Sequence, residues 1–161
     1  CLTPGHMTTD SPGVHLPPPL LYVIIFLASL LLQHFIPLHL GLALGHWHYL
    51  PGLLFIGLAL LFIAPSLLQF FRTRNTLIPF KSAKSLQTDR IYSFTRNPMY
   101  LGLLMAYLGI CAFAGNWWTL LLVPVLILSV QKMIIFKEEE YLHRAFGAEY
   151  QAYRSRVRRW I

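Results

Sequence analysis

Four apolar stretches dominate the chain, at 20–38, 50–71, 99–114 and 117–136, and together they contain no Asp or Glu and a single cation, Lys132. A run of about 20 apolar residues at 1.5 Å per residue spans the roughly 30 Å of bilayer hydrocarbon. Three of the stretches reach that length. The third is shorter but is continued by the uncharged Gly115-Asn116-Trp117. With 56% hydrophobic and 12% charged residues, the chain has too little polar surface to cover a soluble domain of this size. The expected fold is all-α: an integral membrane bundle of four transmembrane helices, the last running on to residue 146, followed by an amphipathic helix over 148–161.

Charge placement orients this bundle. All 13 Lys and Arg residues lie between Arg72 and Arg159. The segment 72–98 and the tail after Lys132 are basic, whereas the connections 39–49 and 115–116 carry no cation. Positive residues stay on the cytoplasmic side, so both termini and the 72–98 loop are expected inside, in a multi-pass protein of a bacterial inner membrane. The same placement argues against nucleic acid as the partner of the +7 net charge.

Several features have structural explanations. Gln33 and His34 lie close enough to the end of the first helix to reach water or backbone. His46-x-His48 lacks a third ligand, and no metal is expected; Trp47 and Tyr49 fit an interfacial aromatic belt. Cys1 and Cys111 are too few for a disulfide framework. Gly52, Gly57 and Ala59 in the second helix, and Gly102, Ala106, Gly109 and Ala112 in the third, allow close helix approach. Pro65 and Pro124 are expected to kink their helices. Residues 1–19 are expected to be disordered; Met7 looks like the natural start and 1–6 a remnant ahead of it, with no cleavable signal peptide. Residues 20–161 form one domain, in which 72–98, anchored by Leu77, Ile78, Phe80, Leu86, Ile91, Tyr92 and Phe94, caps the cytoplasmic mouth.

Two polar clusters bracket the helix 3–helix 4 hairpin: Arg96-Asn97-Pro98-Met99-Tyr100-Leu101-Gly102 before it and Glu138-Glu139-Glu140 after it. A hairpin returns both to one membrane face. Arg96 offers a permanently charged fork for a carboxylate or phosphate. Pro98 suits the first turn of helix 3, whose free amides favour an anion. Tyr92 and Tyr100 add aromatic faces and hydroxyls, and Glu138 and Glu139 accept from amines or hydroxyls and favour a cation. A ligand with a carboxylate, an amine, a sulfonium and hydroxyls matches these groups; S-adenosylmethionine is one.

The motif Tyr92-x3-Arg96-Asn97-Pro98-x-Tyr100-x-Gly102, followed by Glu138-Glu139-x2-Leu142-x3-Phe146-Gly147-x2-Tyr150-x2-Tyr153-x3-Val157, resembles the isoprenylcysteine carboxyl methyltransferase superfamily, which includes phospholipid methyltransferase-like membrane enzymes. The resemblance runs from about Asn75 to the C-terminus. It departs from the usual pattern in Asn97, where His is common, in Arg90-Ile91-Tyr92-Ser93, where Gly-Pro-Tyr-Arg is usual, and in the closing Arg158-Arg159-Trp160-Ile161. The resemblance implies S-adenosylmethionine as methyl donor and a lipid-like or membrane-partitioned acceptor bearing a carboxylate, amine or thiol. The donor-binding set it implies is Tyr92, Arg96, Asn97, Pro98, Tyr100, Gly102, Glu138, Glu139, Tyr150 and Tyr153.

The reaction requires in-line alignment above all. An ammonium acceptor also needs a base, for which Glu138 or Glu139 is the candidate, and Arg96 or Arg156 would orient a carboxylate acceptor. The catalytic expectation is Glu139, Arg156 and Arg96. A non-enzymatic scaffold using its basic C-terminal helix on anionic lipid or a partner is the competing reading. A small multidrug-type transporter would need an acid within a span. A soluble-type methyltransferase would need strand–helix alternation and a Gly-rich turn.

Overall fold

The computed structural model describes residues 13–39, 49–73 and 85–161. The order of elements is α1 (Pro18–Phe35), α2 (Tyr49–Thr73), a 3-10 turn (Arg90–Ser93), α3 (Pro98–Ala114), α4 (Trp117–Leu121), α5 (Val123–Val130), a π-helical turn (Gln131–Ile135) and α6 (Phe136–Arg156). No strand occurs among the described residues. Residues 1–12, His46, Trp47, His48, Leu77, Ile78 and Phe80 lie outside them.

By length and composition two helices can cross a membrane, Pro18–Phe35 and Tyr49–Gln69, with mean hydropathies of 1.7 and 2.2. α3 is apolar but only 17 residues long. The fourth apolar stretch is divided among α4, α5 and the π turn; the break between α4 and α5 falls at the expected Pro124 kink, whereas the π turn was not expected. The outer faces of α1 and α2 are as apolar as their interiors. Leu31, Leu53, Leu54, Leu60 and Leu61 are all at least 60% exposed, a girdle that water disfavours and lipid does not.

Proline and glycine account for most boundaries. Pro18 stands in the first turn of α1, where its missing N–H is harmless. Pro37 holds Ile36 extended and ends α1 three residues before the expected Leu38. There Gln33 Oε1 accepts from the Leu38 amide at 3.2 Å, so this polar side chain serves the helix end. Gly115 closes α3 with φ 61°, and Asn116 caps α4 by accepting from the Trp118 amide at 3.0 Å. α4 ends at Leu122, whose ψ is −3°, because Pro124 two residues on cannot donate to the Leu120 carbonyl. Gly147, with φ 49° and ψ −118°, breaks α6 into 136–146 and 148–156.

α3 packs along α2 and is also touched by α1 and α4. A Cβ built on Gly102 would lie 2.5 Å from Ile63 Cγ1 and 3.2 Å from the Ala59 carbonyl oxygen; one on Gly109 would lie 2.8 Å from Ile56. The small residues of the sequence thus form a close α2–α3 seam, except Gly57, which has nothing within 4 Å. On the other side of α3, Tyr22, Tyr100, Leu104, Tyr107, Leu126, Val130, Ile134 and Ile135 form the core.

Two expectations need correction. Pro18 and Pro19, expected to precede the first helix, stand in its first turn, and Val14 is 1% exposed within the core. At the other end, helix does not extend over 148–161. It stops at Arg156, and Val157 is extended with φ −116° and ψ 131°. Tyr150 and Tyr153 are buried by the protein, so the apolar stripe of this segment is covered by its own cap. Of the cap anchors, Tyr92 is buried, Leu86 and Ile91 are partly buried, and Phe94 is 56% exposed with its ring 6.3 Å from that of Phe62.

Candidate active site

Residues 95–97 and the extended tail 157–161 lie side by side. The Arg96 amide donates to the Arg158 carbonyl at 3.0 Å. The Thr95 hydroxyl and the Asn97 Nδ2 both donate to the Arg159 carbonyl, at 3.2 and 2.9 Å. These three donors satisfy two carbonyls of the extended tail and hold it against the start of α3. Asn97, the non-helical residue before Pro98, contributes through its amide.

The tail delivers Arg159 to Glu139. Its Nε and Nη2 donate to the two carboxylate oxygens at 2.8 Å each, a bidentate geometry that adds specificity to charge. Arg159 also sits 4.8 Å above the Phe136 ring. From the opposite motif, Arg96 Nη1 lies 3.1 Å from Glu139 Oε1 and donates to the Tyr150 hydroxyl at 3.2 Å. The Arg96 and Glu139 side chains are only 10% and 12% exposed. Two guanidiniums around one carboxylate leave a positive excess, and the Arg96 Nε–H is buried without an acceptor.

Glu138 has a different setting. It faces α3, where the Tyr100 hydroxyl donates to its Oε1 at 2.6 Å, and the Tyr22 hydroxyl from α1 donates to the Tyr100 carbonyl at 2.9 Å. Burial raises the Glu138 carboxyl to about 7, against the Tyr100 hydrogen bond that lowers it, with the Glu139 charge adding to the rise. The π turn that precedes α6 by one residue sets the register of both acids on their helix. Tyr92 closes the cluster: its carbonyl accepts from the Tyr153 hydroxyl at 2.7 Å, and its own hydroxyl bonds the Ser66 side chain of α2. Burial pushes the Tyr92 hydroxyl well up, with the Tyr153 and Glu138 charges adding.

Tyr92, Arg96, Asn97, Pro98, Tyr100, Glu138, Glu139, Tyr150 and Tyr153 are therefore drawn into one cluster at the start of α3. Gly102 is not at this cluster but in the α2–α3 seam. Arg156 is exposed, and its Nε donates at 3.3 Å to the Ala152 carbonyl of its own helix. The arginine that reaches the acids is Arg159, which sequence reasoning placed on a helix surface. The only available signal was charge arithmetic: adjacent acids on one side and a single motif arginine on the other. Beside the cluster, between α2 and the cap, a cleft of about 530 Å³ is lined by residues that include Pro65, Leu68, Arg72, Gln87, Asp89 and Arg90.

Residues 47–149, well over half of the chain, match the model of the phospholipid methyltransferase family. A 63-residue portion is 41% identical to an uncharacterised protein of Haemophilus influenzae, covering 39% of this chain and all of that protein. A 72-residue portion is 36% identical to the protein-S-isoprenylcysteine O-methyltransferase of Schizosaccharomyces pombe, covering 45% of this chain. The match spans 30% of the length of that fission-yeast relative. No solved structure matches.

Proposed function

The chain belongs to the phospholipid methyltransferase family, and on that premise we propose that it transfers a methyl group from S-adenosylmethionine to a lipid-like or membrane-partitioned acceptor at the cytoplasmic face of a four-span bundle. The observation that carries this reading is the joining of the two motifs: Arg96 from one and Glu139 from the other lie 3.1 Å apart although the whole hairpin separates them.

The residues present fit such a donor. A cluster with a positive excess and an unsatisfied, buried Arg96 Nε–H suits a carboxylate. Glu139, fixed by two guanidiniums, offers an oriented acceptor to an amine or hydroxyl, and Tyr150 and Tyr100 line the same side. When bound, the donor supplies a methyl carbon already activated by its sulfonium. The chain then has to hold donor and acceptor in line. Where the acceptor is an ammonium group, Glu138 is the proton acceptor, because its carboxyl is poised near neutrality while Glu139 is engaged by arginines. Where the acceptor is a carboxylate, Arg159, which lies beside Glu139, is a better candidate to orient it than the exposed Arg156.

Calorimetric titration of the detergent-purified protein with S-adenosylmethionine tests the proposal. Saturable binding that disappears in Glu138→Gln/Glu139→Gln, with melting still cooperative, supports it. No heat of binding to folded wild-type protein would sink it and favour the scaffold reading.

A further inference from the structure

The cleft between α2 and the cap belongs to neither motif. Its α2 wall is apolar, built from Ala64, Pro65 and Leu68. That wall continues onto the exposed girdle, where Leu61 is 60%, Leu68 56% and Phe71 70% exposed. Its rim is polar. Gln69 Nε2 donates to Gln87 Oε1 at 3.0 Å, and Gln87 Nε2 to the Ser85 hydroxyl at 2.9 Å, which fastens the cap to α2.

Two cations stand on that rim, Arg72 at the end of α2 and Arg90 at the start of the 3-10 turn. Neither makes an ion pair among the described residues, and Asp89 is the one acid lining the cleft. Arg90 is also the only described non-glycine residue with positive φ, 56°, a conformation disfavoured for a side chain with a Cβ. A volume of about 530 Å³ falls within the range of small-ligand pockets.

We propose that this cleft holds the phosphate of an anionic bilayer phospholipid, with Arg72 and Arg90 taking its oxygens and the acyl chains running down Leu61 and Leu68. An apolar wall open to lipid, meeting a net positive rim where the helix leaves the membrane, matches such an amphiphile at both ends. The site lies beyond the transfer reaction, yet it is linked to it. Gln69 is one turn from Ser66, which bonds Tyr92, whose hydroxyl lies within the field of Glu138. A lipid held here steadies the cap over the reacting cluster.

The test is native mass spectrometry of protein exchanged into mixed micelles of phosphatidylglycerol and phosphatidylcholine. One phosphatidylglycerol should be retained preferentially, and Arg72→Gln/Arg90→Gln should lower that preference about thirty-fold, two interfacial cations' worth. Arg96→Gln should leave it intact. Arg90→Gly, which relieves the backbone, should weaken retention while melting no lower than wild type, which separates the lost contact from misfolding. Equal retention of both lipids, or unchanged retention in the double variant, overturns the proposal. So does full competition by glycerol 3-phosphate, which would make the ligand a soluble phosphate. Failure of donor binding leaves this result untouched.

Discussion

The α2–α3 seam and the polar cluster at the start of α3 hold the same helix by opposite means. Along the seam, α3 meets α2 through glycines so close that a methyl group at Gly102 would overlap Ile63. The contact is one of shape. At the N-terminal end of α3, Arg96, Tyr100, Glu138, Glu139, Tyr150 and Arg159 are joined by charge and hydrogen bonds drawn from separate stretches of chain. A membrane interior offers no hydrophobic drive between helices, so the seam depends on close packing. In the cluster, largely buried polar groups regain from one another the partners they lose in water. The seam should respond to volume and ignore pH; the cluster should do the reverse.

The largest break should come from Glu139→Ala. It strands two guanidiniums around a carboxylate only 12% exposed, and removing one partner of a buried ion pair costs about 3–5 kcal/mol. Chemical denaturation in detergent should show that loss together with abolished donor binding. Next is Gly102→Val, with a cost of about 1–3 kcal/mol from overpacking. Ile63→Ala should rescue part of it, and the loss should be the same at pH 5 and pH 8.

A smaller effect separates the regions by titration. The folded state holds the Glu138 proton more tightly than the unfolded chain does, with a carboxyl at about 7 instead of the ordinary 4.5. Its contribution to stability is therefore present at low pH and is lost as pH rises from about 4.5 through about 7. Melting curves across that window should show the slope in wild type and its absence in Glu138→Gln. The same titration predicts methyl transfer to an amine acceptor that rises with pH through about 7. The smallest effect should be Gln33→Ala, which removes one helix-end hydrogen bond at roughly 0.5–1.5 kcal/mol and changes neither donor binding nor the pH slope.

The seam was more legible in the sequence than the cluster. Small residues at helical spacing are a local pattern with a single packing meaning, and Gly52, Gly102 and Gly109 all meet α2–α3 neighbours. Helix boundaries at Pro98 and Gly147 were readable for the same reason, whereas Pro18 and Gly115 were not read as helix ends. Within the cluster, the residues of the two motifs could be chosen from their chemistry, and Arg96, Tyr100, Glu138 and Glu139 are in contact. The partner Arg159 could not, because its position depends on donors at 95–97 that are distant in sequence and that hold the extended tail. The same long-range logic hid Val14, whose burial depends on helices far along the chain; in the fourth stretch the Pro124 kink was readable but the π turn was not.

The π turn at Gln131–Ile135 carries a further meaning. Such a turn holds one residue more than an α-helical turn, and each residue advances a helix by about 100°. The bearing of Glu138 and Glu139 is thus set upstream, independently of the apolar surface that α5 presents to the core. A single-residue deletion there would regularise the helix and leave the face of α5 in place, while shifting the buried Ile134 and Ile135 and swinging both acids away from Tyr100 and Arg96. The protein would still assemble, but with its two motifs addressed to different neighbours.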